Sequence, residues 1–273
     1  MPNLRTSFLV LFTSLCASLC SVRAGESLVQ MPDGMALIPS GRYAPLFRAE
    51  TDPKQIEIPA FLLDAAPVTN GDFLEFLRAN PKWQRSQVKR LFADRDYLKL
   101  WSSDLDPAPC PTNAPVVFVS WFAAKAYAQW KGKRLPTTAE WEFAANASPL
   151  RPDGENDPAF MNSLRQWYAT PAPPSLPLVR QQPANFYGLH DMHGLIWEWV
   201  ADFSTAMVTG DARGDTGLDR QLFCGSGSEG SKDRDNFPAY MRYGFRSSLK
   251  ANYTVHNLGF RCAKSIEPSE LLR

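Results

Sequence analysis

The stretch GLHDMHGLIWEWVADF, residues 188–203, decides how this chain is read. It gathers His190, Asp191, His193 and Glu198 into one short run, with Trp197 and Trp199 beside them. Three chemistries are open for such a run: zinc or copper held through the histidines, a hard cation held by oxygens, or a loop closed by hydrogen bonds alone. Zinc takes three or four nitrogen or sulfur ligands in a tetrahedral array. The chain has only three histidines, His190 and His193 lack the HExxH spacing, and His256 lies far along the sequence. Calcium takes six to eight oxygens from a tight loop, carbonyls included. Asp191 and Glu198 are the side chains that suit the oxygen chemistry.

The N-terminus, MPNLRTSFLVLFTSLCASLCSVRAGES, carries Arg5 and then an apolar run too short for a membrane span. The VRA at 22–24 fits a signal-peptidase site, so residues 1–24 read as a secretory signal and the mature chain as periplasmic. Cys16 and Cys20 follow leucines, which disfavours a lipoprotein. Cleavage removes two arginines, taking Lys+Arg from 29 to 27 against 28 Asp+Glu, so net charge moves from +1 to −1. No basic excess remains for nucleic acid or an anionic membrane. Residues 25–273 suffice for a single domain with one core. Three cysteines remain after cleavage, Cys110, Cys224 and Cys262. The odd count leaves at least one thiol free or paired outside the chain, and three cysteines are too few for a disulfide scaffold.

Periodicity places the elements. MALIPSGRYAPLF (35–47) reads as strand–turn–strand, and IEIPAFLLD (56–64) as a strand. VTNGDFLEFLRAN (68–80) switches to helical spacing, with Thr69 or Asn70 as N-cap. VVFV (116–119) reads as a buried strand. Ser120 caps a helix that ends at Gly132, and Thr137 with Glu140 opens another through a capping box. Residues 149–187 are rich in Pro, Asn and Ser, and 170–184 read as an extended connection. MRYGFRSSL and LGFRCAK read as two closing strands. The expected class is α+β.

Five segments taken in order resemble the sulfatase-modifying-factor family, also called formylglycine-generating-enzyme-like. They are MALIPSGRY, APVTNGDFLEFL, VSWFAAKAYAQWKGKRLPTTAEWEFAA, FYGLHDMHGLIWEWVADF and NLGFRCA, spanning about residues 31–264. The resemblance implies a C-type-lectin-like fold with small twisted antiparallel sheets, two main helices and much ordered coil. It implies structural calcium on the 188–203 loop. Asp191 and Glu198 would be side-chain ligands, His193 and Ile196 would give backbone carbonyls, and Gly194 would make the sharp turn. Leu195 stands where the family has Asn. Asn162 matches one ligand of a second family calcium site, but Arg180 stands where that site needs an acid.

The founding activity of the family oxidises a substrate cysteine to formylglycine, using copper(I) on two cysteines. Here no cysteine lies between Cys224 and Cys262, and the family positions fall near Phe237 and Arg242. The resemblance therefore implies neither copper nor formylglycine generation. What occupies the groove is Cys224, a GSGSEGS loop, and then Arg242, Tyr243 and Arg246. These residues read either as an anion- or peptide-binding groove with Cys224 as a thiol or metal contact, or as framework, with the arginines paired to acids. The ending is similar to exported members associated with copper nitrite reductase. The expected role is a periplasmic accessory or maturation protein with a protein or peptide partner, such as a nitrite reductase. Two alternatives stand beside it: an oxidising enzyme of the siderophore-chromophore-maturation type, and a calcium-stabilised domain that binds a small ligand.

Overall fold

The computed structural model describes residues 34–46, 53–203 and 237–266. Helix α1, Asn70–Ala79, begins at Thr69, whose hydroxyl accepts from the Asp72 amide while Asp72 reaches back to the Thr69 amide. Its Phe73, Phe76 and Leu77 recur at helical spacing and are buried. Each contributes roughly 1.5–3 kcal/mol by leaving water. Helix α2, Trp121–Trp130, is capped by Ser120 and buries Ala123, Ala124, Tyr127 and Ala128 against α1. Small alanines let the two helices approach, and Tyr127 stacks on Phe73 at 5.9 Å. Gly132, at φ +66°, ends the turn after α2. Helix α3, Thr138–Ala145, opens with the expected capping box of Thr137 and Glu140.

The strands are short. β1 (Met35–Ile38), β4 (Phe61–Asp64) and β7 (Ala263–Ser265) form one antiparallel sheet in the order β1-β4-β7. β2 (Gly41–Tyr43) pairs antiparallel with β3 (Ile56–Ile58). β5 (Trp197–Glu198) pairs parallel with β6 (Leu258–Gly259). That last pair brings the 188–203 stretch against the NLGFRC segment. Gly259 is needed there, because a Cβ would lie 2.4 Å from the Val116 carbonyl oxygen.

Several expectations are corrected. The described residues contain five α-helices, the three read from the sequence and two more. Helix α4, Pro158–Ala169, precedes the 170–184 connection, in a stretch where the sequence reading places no element; Asp157 caps it and Pro158 fills its first position. MRYGFRSSL is not a strand: all but Ser248 and Leu249 lies in helix α5, Phe237–Ser247. IEIPAFLLD breaks at Pro59 into β3 and β4, and LGFRCAK splits into β6 and β7. VVFV is buried but is no strand, since Phe118 turns the chain at φ +55°. The strands of 35–47 enter different sheets, so they form no hairpin. The class is α+β, as expected, although the β5–β6 pair is parallel. Residues 1–24 and Cys224 lie outside the described residues. No helix among the described residues is long and apolar enough to cross a membrane.

Candidate functional site

A cleft of about 210 Å³ opens between the end of α4, the β5 strand and the proline-rich segment that follows α4. Trp167, Tyr168 and Trp197 supply aromatic walls, Pro171 and Pro173 a third side, and Asn257 a polar edge. Trp197 is fixed from behind by Phe245 of α5, stacked at 4.4 Å with 23° between the rings. Tyr168 lies 5.5 Å from Trp197 and Trp167 lies 5.9 Å from it. The extended 170–184 connection thus has a structural task, because its prolines wall an aromatic surface.

Behind Tyr168 sits a buried charge cluster. The Tyr168 hydroxyl accepts from Arg242 Nη1 at 3.0 Å. Arg242 donates through Nη2 to Glu142 Oε2 at 2.6 Å and through Nε to both carboxylate oxygens. Arg246, one helical turn on, donates to Glu142 Oε1 at 2.6 Å. Spacing of four residues puts both guanidinium groups on one face of α5. Both also lie over the Trp141 ring, at 5.5 and 4.7 Å from its centroid. Burial pushes the Glu142 carboxyl up, but Arg242 and Arg246 outweigh it and hold the group at about 2. Burial lowers the Arg242 pKa while the Glu142 charge raises it, and the net direction is up. Two cations share one carboxylate, so the cluster carries an excess positive charge beneath the cleft.

Tyr43 of β2 and Tyr243 of α5 meet hydroxyl to hydroxyl at 3.1 Å beside this cluster. Burial and the Glu142 charge raise the Tyr243 phenol to about 12. Both phenols remain protonated at neutral pH and act as neutral hydrogen-bonding groups. Arg242, Tyr243 and Arg246 are brought together as the sequence suggests, and the arginines take the framework option by pairing with an acid. Sequence reasoning misses Glu142, which comes from α3, about a hundred positions away. A buried acid in the apolar run AEWEFAA is the signal that could have found it. It also misses Trp167 and Tyr168, because α4 is missed.

The 188–203 loop is held differently from the expected cation site. Glu198 accepts from Arg261 Nε at 2.8 Å and Nη2 at 2.9 Å, and from Trp141 Nε1 at 2.7 Å. Arg261 Nε also reaches Oε1 at 3.0 Å, so four contacts fall on a carboxylate that offers about four lone-pair sites. Both partner side chains are fully buried. Asp191, at φ +57°, accepts the Arg180 amide at 2.6 Å. The side chains present therefore do not fit the implied calcium, since the charge of Glu198 is already balanced by Arg261. Gly194 does make the sharp turn, at φ +90°. Ile196 packs into a small apolar cluster with Val117, Phe118 and Leu195. Asn162 is exposed on α4. Among the described residues no three His, Cys, Asp or Glu side chains converge on a point that could hold a metal.

His193 contributes its ring, not merely its carbonyl. Nε2 donates to the Ala145 carbonyl at 2.9 Å, which requires the Nε2–H tautomer. Nδ1 is buried without a partner. Trp141, Phe160 and Tyr168 rings surround the imidazole. Burial, and then the Arg242 charge, lower its pKa to about 3. His190 instead bonds the Gln182 carbonyl at 2.9 Å.

Neither described thiol resembles a copper ligand. Cys262 is buried, with burial and the Asp64 charge raising its pKa well above the ordinary range. Cys110 is partly buried and its pKa is also raised by burial. Copper(I) favours thiolates in pairs, and the positions that the family resemblance assigns to the pair hold Phe237 and Arg242. A copper(I) site of the family's kind does not fit the side chains at those two positions.

Comparison with known proteins places the chain. It is 36% identical over 160 residues to the serine/threonine-protein kinase pkn1 of Chlamydia caviae, covering 57% of this chain and 25% of that one. The chain thus spans about a quarter of the length of that relative. It is 30% identical to the mouse inactive C-alpha-formylglycine-generating enzyme 2, covering 97% of this chain and 94% of that one. It is 34% identical to the formylglycine-generating enzyme of Streptomyces coelicolor, over 60% of this chain and 56% of that one. The sulfatase-modifying factor enzyme 1-like domain matches residues 22–266, and the chain belongs to that family.

Proposed function

We propose that the protein is an exported accessory or maturation protein that binds an extended segment of a partner protein in the aromatic cleft. It does not oxidise cysteine. The observation that carries this reading is the Arg242–Glu142–Arg246 cluster. Where the family resemblance assigns a copper-binding cysteine, a guanidinium is locked to a buried carboxylate at 2.6 Å. A group so held does not bind copper(I) or exchange protons near neutrality. The cleft in front of it has aromatic and proline walls, which suit stacking on apolar side chains and prolines of an extended peptide. The near-full-length likeness to a mouse protein named as inactive supports the same reading. The reading places the protein in the periplasm, with a respiratory copper enzyme such as a nitrite reductase as partner.

Two measurements test it. The chain from residue 25, loaded with copper(I) and supplied with oxygen and a cysteine-bearing sulfatase peptide, should leave the peptide mass unchanged. The same chain used as bait in periplasmic extract from denitrifying cells should retain the copper nitrite reductase. Conversion of the cysteine to an aldehyde overturns the non-oxidising reading. Failure to retain the reductase, with nitrite reduction intact in a deletion strain, overturns the partner.

A further inference from the structure

A second cavity, of about 540 Å³, lies away from the aromatic cleft, between the β4–β7 strands and helices α2 and α3. Its volume is in the range of sites that hold small ligands, about 300–1,000 Å³. Phe61, Trp121, Leu135 and Ile266 give it an apolar lining, and Lys125 and Gln129 of α2 stand on its border.

The charges around it are unevenly matched. Arg134 forms a two-pronged ion pair with Glu140, at 2.7 Å on both arms, and its Nε donates to the Ser265 hydroxyl at 2.9 Å. Glu140 also accepts the Thr137 amide at 2.8 Å. That carboxylate is neutralised and has little capacity for a cationic ligand. The Thr138 amide at the start of α3 is taken by Asp202 at 2.7 Å. Lys125 differs: its ammonium lies 4.7 Å over the Trp121 ring and forms no ion pair with a carboxylate among the described residues. The Trp121 Nε1–H is already satisfied by the Val200 carbonyl at 2.9 Å. Among the described residues, what the cavity offers a ligand is an apolar floor and, in Lys125, a cation at the edge with no carboxylate partner.

We propose that this cavity is a binding site for an amphipathic carboxylate, with the apolar body against Phe61, Trp121 and Leu135 and the anionic head on Lys125. The site is independent of the aromatic cleft and of the partner-binding role. An ammonium head meets a repelling Lys125 and an occupied Glu140, whereas a carboxylate completes a charge-assisted hydrogen bond.

Octanoate, titrated calorimetrically into the chain from residue 25, tests this against octylammonium and octanamide. Octanoate should bind saturably at one site, with octylammonium at least about tenfold weaker. Lys125→Glu should weaken octanoate by about tenfold. Gln129→Trp, a change on the exposed border of the cavity, should also weaken octanoate by filling space. Melting curves confirm that each variant folds. Absence of saturable octanoate binding overturns the proposal, as does equal binding of the ammonium analogue. Unchanged octanoate affinity in both folded variants overturns it too, since binding then lies elsewhere.

Discussion

Arg261, two residues beyond β6, reaches Glu198 of β5 with its Nε 2.8 Å from Oε2 and its Nη2 2.9 Å from Oε1, and both side chains are fully buried. The same guanidinium also donates to the Asp64 and His190 carbonyls, at 3.1 and 2.9 Å. One side chain thus ties the NLGFRC segment to the 188–203 loop and to the end of β4. Removing one partner leaves the other as an unpaired buried charge, a loss of about 3–5 kcal/mol. Arg261→Ala should therefore destabilise the chain by that amount in urea unfolding. Glu198→Gln keeps the shape but loses the charge, and should cost less. Because Arg261 balances Glu198, the wild-type melting temperature should be the same in calcium and in chelator. A clear rise with calcium would return Glu198 to the role of cation ligand.

Glu142 is the common acceptor for two cations, whereas each arginine has only that carboxylate as its acidic partner in the cluster. Glu142→Ala leaves both guanidinium groups buried and unpaired, so it should be the most damaging single change there, at about 3–5 kcal/mol or more. Arg246→Ala should cost less than Arg242→Ala, because Arg242 makes the larger number of bonds to Glu142 and one more to Tyr168. A double-mutant cycle on Arg242 and Glu142 in urea should give a coupling energy clearly above zero. Additive losses would mean that the pair does not interact as described.

The paired and capped parts of the chain are legible from sequence, and the long-range pairings are not. Thr69, Ser120 and Thr137 announce α1, α2 and α3 because a cap and its helix are neighbours along the chain. Asp157 followed by Pro158 announces α4 in the same way, but the surrounding Pro- and Asn-rich composition hides it. Helix α5 is misread because MRYGFRSSL mixes aromatic and basic residues in near alternation, which mimics a strand. Its true signal is the spacing of Arg242 and Arg246, four apart on one helical face. The reason for that spacing is Glu142, and nothing in local sequence points from α5 to α3. The 188–203 loop is correctly singled out, yet its closure depends on Arg261, a residue supplied from outside it.

Acid should loosen the fold before it protonates the carboxylates. The native His193 pKa is lowered to about 3, from an ordinary value near 6.5. Between those values the unfolded chain binds a proton that the native imidazole does not, so stability falls as pH drops. The loss from this group reaches about 2 kcal/mol at pH 5. Glu142, held at about 2, adds to the loss as pH falls below its unfolded value near 4.5. Urea midpoints at pH 7, 6 and 5 should decline. His193→Gln keeps a donor for the Ala145 carbonyl without a titrating ring, and should flatten the decline between pH 6.5 and 5. An equal decline in the variant would assign the acid sensitivity to other groups.

Trp197 tests whether the aromatic cleft binds a partner or only packs. Its ring is part-exposed, stacked on Phe245 at 4.4 Å on one side and bordering the cleft. Aromatic residues of this kind, set in a cleft and rigidly backed, carry a disproportionate share of binding energy at interfaces. Trp197→Ala should reduce retention of the periplasmic partner by about tenfold or more, in line with a loss of at least 1.4 kcal/mol. Trp197→Phe preserves the stack on Phe245 and should recover most of the retention. A purely structural role predicts otherwise: retention would track the fraction folded in each variant. Measuring urea stability and partner retention on the same preparations separates the two. If the Ala variant is folded and still retains the partner at wild-type level, the cleft is not the binding surface.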